Sequence, residues 1–161
     1  MTPRARAETR VLPAWIDYNG HLTDGYYLVA FSDATEAVLA LLGFGPAYLE
    51  RTGCTIYTVE AHLTYRREVT TDTRLSFATQ VVDHDEKRIH VVHDMVDSET
   101  RDRLATAELM FVHVRQSTGK VEPMPTDSIA RVAALAAEHS ELPRPPVIGR
   151  SIGIRRDAST T

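Results

Sequence analysis

Two apolar periodicities follow one another in this chain, and their order restricts the folds it can adopt. From Asp24 to Leu42 apolar residues recur at spacings of three and four, which is typical of a helix. From Thr55 onward they alternate with polar residues, which is typical of strands. A sheet that follows a long apolar helix buries its apolar face against that helix. We therefore expect an α+β fold, with an antiparallel sheet wrapped around one long central helix.

The element boundaries can be predicted from the same patterns. Thr23 is a suitable N-cap and Gly43 a suitable stop for the long helix, whose broad apolar surface predicts burial on most sides. A first strand is expected over residues 8–15, and the further elements are a helix at 46–51, strands at 55–65, 74–82, 88–96 and 104–114, and a helix from residue 131. Because the second sheet face also carries apolar residues, we expect a partner subunit to cover it.

Length and charge exclude several classes of protein. The 161 residues predict a single domain, with a loose N-terminus at about 1–7 and an extended Pro- and Arg-rich tail at about 143–161. The net charge of -4 argues against nucleic-acid binding. Neither a secretory signal nor a membrane-spanning segment is recognisable, and a single cysteine, Cys54, fits a reducing compartment. We expect a cytoplasmic protein that binds no membrane.

A polar stretch directly before the long helix is the candidate site. Four polar residues occur within eight positions, and aromatic residues surround them; the two groups are Asp17, Asn19, His21, Asp24 and Trp15, Tyr18, Tyr26, Tyr27. Taken alone, Asp17 fits two roles equally well. It is either a reacting carboxylate or the cap of a turn in a loop rich in turn-forming residues.

The stretch resembles the acyl-CoA thioesterases of the 4-hydroxybenzoyl-CoA thioesterase type, which have the hotdog fold. Their pattern of Asp, Gly, Val or Leu, and Tyr is matched by Asp17, Gly20, Leu22 and Tyr27. WIDYNGHLTDGYYL, TVEAHLTYRREV, DEKRIHVVH and a late GR are most similar to the betainyl-CoA thioesterases of carnitine degradation. One departure is that GHLTD, at 20–24, stands where many relatives have Gly-His-Val-Asn-Asn, so no role of the paired Asn transfers.

The resemblance implies that Asp17 attacks the thioester or activates water. The unpaired N–H groups of Asp24 and Gly25, at the positive end of the helix, are the expected donors to the thioester oxygen, and the Asp24 carboxylate should then point away from it. His21 either orients Asp17, donates to the thioester or is structural. Asn19 is expected to support the loop conformation.

A second polar group lies on the strand at 55–65. Tyr57, Val59 and Ala61 are expected on one face of it, and Glu60 and His62 on the other. These two residues form either an exposed ion pair or part of a site shared between subunits. The second alternative follows from the resemblance, which implies sites at subunit interfaces. Glu60 is therefore the second candidate catalytic carboxylate, and Glu36 on the long helix is a third.

Substrate groups suggest further binding residues. A trimethylammonium group binds well over aromatic faces beside a carboxylate, which could be provided by Trp15, Tyr18, Tyr26, Tyr57 and Asp24. The phosphates of coenzyme A prefer basic residues, for which the candidates are Arg66, Arg67, Lys87, Arg88 and Arg150, with Arg88 and Arg150 favoured. His90 and His93 should point to opposite faces of their strand, so we expect no metal, and no cofactor beyond the CoA of the substrate.

The expected activity is thus acyl-CoA hydrolysis, on betainyl-CoA or a similar small polar acyl-CoA, by a homodimer or homotetramer. The first alternative is a hotdog enoyl-CoA hydratase, whose Asp-x-Asn-Pro-x-His-x-Asp pattern is matched at Asp17, Asn19 and Asp24. Gly20 replaces its Pro, however, and His21 falls one residue early. The second is a non-catalytic acyl-CoA-binding protein, although the chain has no basic helix-turn-helix segment.

Overall fold

The computed structural model describes residues 7–154, in which helices and strands follow the predicted order. The helices are α1 (Asp24–Leu41), α2 (Pro46–Thr52) and α3 (Thr126–Ser140), with a 3-10 turn at Pro13–Trp15. The strands are β1 (Glu8–Arg10), β2 (Cys54–Tyr65), β3 (Arg74–His84), β4 (Arg88–Asp97), β5 (Arg103–Arg115) and β6 (Lys120–Val121). They form one antiparallel sheet in the order β1-β3-β4-β5-β2, and β6 pairs with β5. The predicted α+β class is confirmed.

Helix α1 packs against one face of this sheet, which we call the inner face. Its buried residues are Tyr27, Ala30, Phe31, Ala34 and Val38. Leu28, Val29 and Leu41 are nevertheless 44%, 48% and 47% exposed. The prediction of burial on most sides was therefore wrong, because a single sheet face covers only one side of a helix. Gly43 ends the helix as predicted, at a φ of +80° that favours glycine.

A buried histidine ties α1 to the sheet. His93 on β4 is 0% exposed, and its ring is stacked on Phe31 with a centroid distance of 6.2 Å. Its Nδ1 lies 2.8 Å from Thr79 Oγ1 on β3, and its Nε2 lies 3.2 Å from Thr35 Oγ1 on α1. The neutral ring has one donor and one acceptor, so two hydroxyls satisfy it completely. Burial lowers the pKa of His93 to about 3.

Strand β2 contains a bulge that changes which side chains share a face. Thr58 pairs with Phe111 of β5, and Glu60 pairs with the adjacent Met110. Val59 therefore has no partner on β5 and is the extra residue of the bulge. Tyr57 pairs with Val112 and therefore lies on the outer face with Glu60, while Thr58 lies on the inner face. The predicted alternation was wrong at Tyr57 and Thr58, because a bulge reverses the facing of every residue beyond it.

Other boundaries also differ from prediction. The first strand ends at Arg10 instead of Trp15, because Pro13 begins the 3-10 turn. Helix α3 begins at Thr126, five residues before the predicted start at Arg131.

The described part of the C-terminal tail contacts the outer sheet face. Val147 is buried, and the Gly149 N–H donates to both carboxylate oxygens of Glu108 at 3.1 Å. The chain itself thus occupies part of the face for which a partner was expected. Residues 1–6 of the predicted loose N-terminus and 155–161 of the tail lie outside the described residues.

Between residues 7 and 154, no single helix is long and apolar enough to cross a membrane. Only α1 and α2 taken together, with a bend of 55° between them, reach that length and composition.

Candidate active site

The loop before α1 is closed by its own backbone hydrogen bonds. The N–H of Asp17 donates to the carbonyl of His21 at 2.9 Å, and the N–H of Gly20 donates to the carbonyl of Asp17 at 3.0 Å. Gly20 adopts a φ of +80°, where a side chain would be strained. Ile16 and Leu22 form a β-bridge at the base of the loop. The loop therefore holds a defined conformation directly ahead of the helix.

The carboxylate of Asp17 accepts three hydrogen bonds inside this loop. Its Oδ1 accepts from the backbone N–H of Asn19 at 2.8 Å and of His21 at 3.5 Å, and its Oδ2 accepts from Asn19 Nδ2 at 3.2 Å. Desolvation opposes the charge, but these bonds and the nearby His21 outweigh it and lower the pKa of Asp17. Asp17 therefore caps a turn and is also ionised at neutral pH.

The first turn of α1 is arranged differently from the prediction. Thr23 does not cap the helix through its side chain; its Oγ1 donates to the carbonyl of Trp15 at 3.0 Å. The Asp24 carboxylate accepts the N–H of Gly25 at 2.8 Å, so it stays at the helix start, and the Gly25 N–H is already engaged. Among the described residues, the backbone N–H of Asp24 donates to no acceptor.

A cavity of about 440 Å³ lies between this loop, the start of α1 and the end of β2, and we call it the Asp17 cavity. It is lined by Asp17, His21, Leu22, Thr23, Asp24, Tyr27, Tyr65, Arg66, Arg67 and Glu68. The segment after β2 is attached to the loop, since the N–H of Leu22 donates to the carbonyl of Val69 at 2.7 Å. Tyr65 and Glu68 were missed as site residues, because long-range contacts of this kind bring them to the loop and no local sequence pattern indicates such contacts.

His21 connects the two sides of the Asp17 cavity. Its backbone N–H points to Asp17, and its Nε2 lies 3.4 Å from Glu68 Oε2. The ring is thus placed against a carboxylate on the neighbouring segment, and the backbone of the same residue helps to hold Asp17.

The aromatic residues separate into distinct groups. Trp15 and Tyr26 are stacked with a centroid distance of 5.6 Å, outside the cavity lining. Tyr18 is 97% exposed, and Tyr57 lies on the outer sheet face. Within one chain, the predicted aromatic cage is not assembled. The aromatic residues that do line the cavity are Tyr27 and Tyr65, which meet edge to face at 4.9 Å.

Glu60 and His62 line a second cavity, of about 300 Å³, on the outer sheet face. Arg150 lines it too, beside a hydrogen bond of 2.9 Å between His90 Nε2 and Glu108 Oε1. In a single chain Glu60 and Asp17 therefore belong to separate cavities. Glu36 is exposed on α1 and lines neither of them.

Most of the candidate CoA-binding bases are already paired. Arg88 donates from Nε to Asp85 at 2.8 Å and lowers the pKa of that carboxyl to about 2. Arg67 pairs with Asp102 at 3.0 Å, and Lys87 pairs with Glu86 at the same distance. Arg66 and Arg150 have no acidic partner within residues 7–154, and each lines a cavity. No group of three or more His, Cys, Asp or Glu in this range is placed to hold a metal ion.

Comparison with known proteins relates this arrangement to a family. Residues 11–134 match the family described as the thioesterase-like superfamily. The betainyl-CoA thioesterase of Pseudomonas aeruginosa is 40% identical over 91% of this chain and 92% of its own length. The L-carnitine dehydrogenase/betainyl-CoA thioesterase of Rhizobium meliloti is 38% identical over 96% of this chain, which corresponds to only 31% of that longer protein.

Solved structures agree with this relationship. A candidate thioesterase from Pseudomonas putida has a TM-score of 0.80 and 31% identity, covering 93% of this chain and 96% of its own. A Staphylococcus aureus protein solved in complex with CoA has a TM-score of 0.87, covering 96% and 98% of the two chains; at 23% identity it shows the shared fold. The predicted hotdog fold and thioesterase resemblance are confirmed, and this chain belongs to the thioesterase-like superfamily.

Proposed function

We propose that this chain hydrolyses betainyl-CoA to betaine and free coenzyme A. The observation that carries the proposal is the ionised Asp17, held in an open cavity at the N-terminal end of α1. A thioesterase needs a reacting carboxylate or base, donors for the thioester oxygen, and space for the acyl group, and the Asp17 cavity offers all three. The relative of 40% identity supplies the proposed acyl group.

Two routes use the same residue. As a general base, Asp17 takes a proton from water, the water oxygen bonds to the thioester carbon, and the C–S bond breaks as the departing sulfur takes up the proton. As a nucleophile, an Asp17 oxygen bonds to that carbon and displaces the CoA thiolate, and water then cleaves the resulting anhydride. The lowered pKa of Asp17 supports both, because each requires the carboxylate form.

We assign the thioester oxygen to the first turn of α1. The backbone N–H of Asp24 carries no hydrogen bond in the described part of the chain and lies at the positive end of the helix dipole. The Gly25 N–H becomes a second donor only when the Asp24 carboxylate releases it. Arg66 lines the cavity and has no acidic partner among residues 7–154, so it is the best-placed base for a CoA phosphate, whereas Arg150 needs a second chain to reach the same ligand.

The substrate assignment is tested by following free thiol release from a panel of acyl-CoAs. We expect the largest kcat/KM for betainyl-CoA, with acetyl-, butyryl- and 4-hydroxybenzoyl-CoA well below it. Equal or faster hydrolysis of the uncharged substrates would contradict the betainyl assignment while leaving thioester hydrolysis intact. Hydration of crotonyl-CoA without thiol release would favour the hydratase alternative.

We further propose that two copies join along β2. This strand ends the sheet, so its outer edge pairs with no strand among residues 7–154, and Val59 and Tyr57 on it are 58% and 44% exposed. Pairing of two β2 strands would bring Glu60 of one protomer towards the partner's loop, where a shared site was expected.

Sedimentation measurements test this association. The wild-type chain is expected to sediment as a dimer or a larger assembly, and Val59→Lys should shift it towards the monomer by placing a charge on the edge. A wild-type chain that stays monomeric at micromolar concentration would exclude the proposed pairing. Location in the cytoplasm and the absence of a cofactor other than the CoA of the substrate stay predictions.

A further inference from the structure

We propose that Glu68 is the residue that recognises the positive charge of the acyl group, with the ring of Tyr65 forming the other wall of the same subsite. The inference rests on the proposed function, because it concerns how the Asp17 cavity selects a quaternary ammonium group.

The three carboxylates that line the cavity differ in their hydrogen-bond partners. Asp17 is held by Asn19 and His21, and Asp24 is engaged with the Gly25 N–H. Glu68 has one contact among the described residues, His21 Nε2 at 3.4 Å, and its side chain is 79% exposed. Among the described residues, backbone N–H groups hold Asp17 and Asp24 but none holds Glu68, so Glu68 is the carboxylate that remains able to turn towards a ligand.

The balance of charge in the cavity favours a cation. Its basic residues are Arg66 and Arg67, and Arg67 is neutralised by Asp102 at 3.0 Å. In the described part of the chain, three carboxylates therefore face one arginine that has no acidic partner. An uncharged acyl group gains nothing from this excess, whereas a trimethylammonium group is attracted to it.

Tyr65 supplies an aromatic surface at a fixed position. Its hydroxyl donates to the carbonyl of Asp24 at 3.3 Å, and its ring packs edge to face on Tyr27 at 4.9 Å. Tyr27 is anchored in turn, donating to the carbonyl of Arg67 at 3.3 Å. Tyr65 remains 50% exposed, so part of its ring is open to the cavity. Glu68 lines the same cavity as this aromatic pair. Burial, followed by the nearby Tyr65 and Glu68, raises the pKa of Tyr27.

The subsite lies at a suitable position relative to the reacting carboxylate. In betainyl-CoA a single methylene separates the ammonium nitrogen from the thioester carbon, so a residue that senses the charge must lie beside the reacting carboxylate. The hydrogen bond from Leu22 to Val69 fixes the segment that carries Glu68 to the loop that carries Asp17. His21 contacts both carboxylates, Asp17 through its backbone N–H and Glu68 through its Nε2, so the two carboxylates lie one residue apart across the cavity.

The test compares betainyl-CoA with 3,3-dimethylbutyryl-CoA, in which a carbon atom replaces the ammonium nitrogen and the shape is retained. The readout is the ratio of the two kcat/KM values. For Glu68→Gln we expect this ratio to fall about five- to tenfold, mainly through KM for betainyl-CoA, because an exposed ion pair and a cation–π contact are each modest. Glu50→Gln, which removes an exposed carboxylate on α2, is the matched control and should leave the ratio unchanged.

Each other outcome has a separate meaning. A wild-type ratio near one would overturn the betainyl assignment itself. A high wild-type ratio that is unchanged in Glu68→Gln would overturn only the role of Glu68. An equal loss on both substrates would also overturn it, because Glu68 would then act through His21 on the reaction. Glu68→Lys provides a second variant, for which a still lower ratio is expected.

Discussion

Asp17→Asn is expected to lower kcat for thioester hydrolysis by about a hundredfold or more, the scale of losing a proton-transfer group. The amide that replaces the carboxylate keeps an oxygen that can accept the Asn19 N–H, so the turn is largely preserved. This amide can neither take a proton from water nor attack the thioester carbon. Free thiol release under saturating acyl-CoA measures the effect, and a thermal melt checks that the loop still folds.

The matched control is Asp72→Asn, which removes an exposed carboxylate that pairs with Arg10 at 3.7 Å. Position 72 has a φ of 62°, a conformation that Asn tolerates, and the control should retain full activity. Full activity in Asp17→Asn would show that the loop carboxylate only caps its turn. The reaction would then use Glu60, supplied across a subunit interface, or Glu36 on α1.

The second large effect concerns folding stability and His93. Burial lowers the pKa of His93 to about 3, whereas an unfolded chain has a histidine pKa of about 6.5. Between these values the unfolded chain binds a proton that the folded chain does not, so acid favours unfolding. The free energy of unfolding is expected to be level above pH 7 and to fall by about 2 kcal/mol between pH 7 and pH 5. Urea unfolding across this range measures it.

A variant isolates the contribution of this histidine. His93→Gln keeps hydrogen-bonding groups opposite Thr79 and Thr35 but has no side chain that titrates. Between pH 7 and pH 5, its free energy of unfolding should therefore lack the fall that His93 causes in the wild-type protein. Parallel curves for the two proteins would assign the acid sensitivity to other groups. If the variant does not fold, the ring resonances of His93 in the wild-type protein answer the question, because they should not titrate above pH 5.

Sequence patterns correctly predicted the features that depend on interactions between residues close together in the chain. The spacing of apolar residues located α1, and alternation located β3, β4 and β5 to within two residues at each end. The polar loop was recognisable because Asp17 and Gly20 stand at the spacing of a known family.

The errors occurred where a single backbone event or a distant contact decided the outcome. The bulge at Val59 moved Tyr57 to the outer face, and nothing in the alternation of β2 indicated it. Gly25 was expected to offer a free N–H, but the neighbouring Asp24 side chain occupies it, which depends on one rotamer.

By itself the sequence determined the order of elements, the loop that presents Asp17 and the family to which the chain belongs. These depend on residue spacing along the chain. Only the tertiary structure decided which side chains share the cavity: Tyr65 and Glu68 reach Asp17 through the contact of Leu22 with Val69, 47 residues apart. Tertiary structure likewise separated Glu60 from Asp17 within one chain. The physical reason is that periodicity places a residue on a face of its own element, whereas strand pairing and long-range hydrogen bonds determine which faces meet.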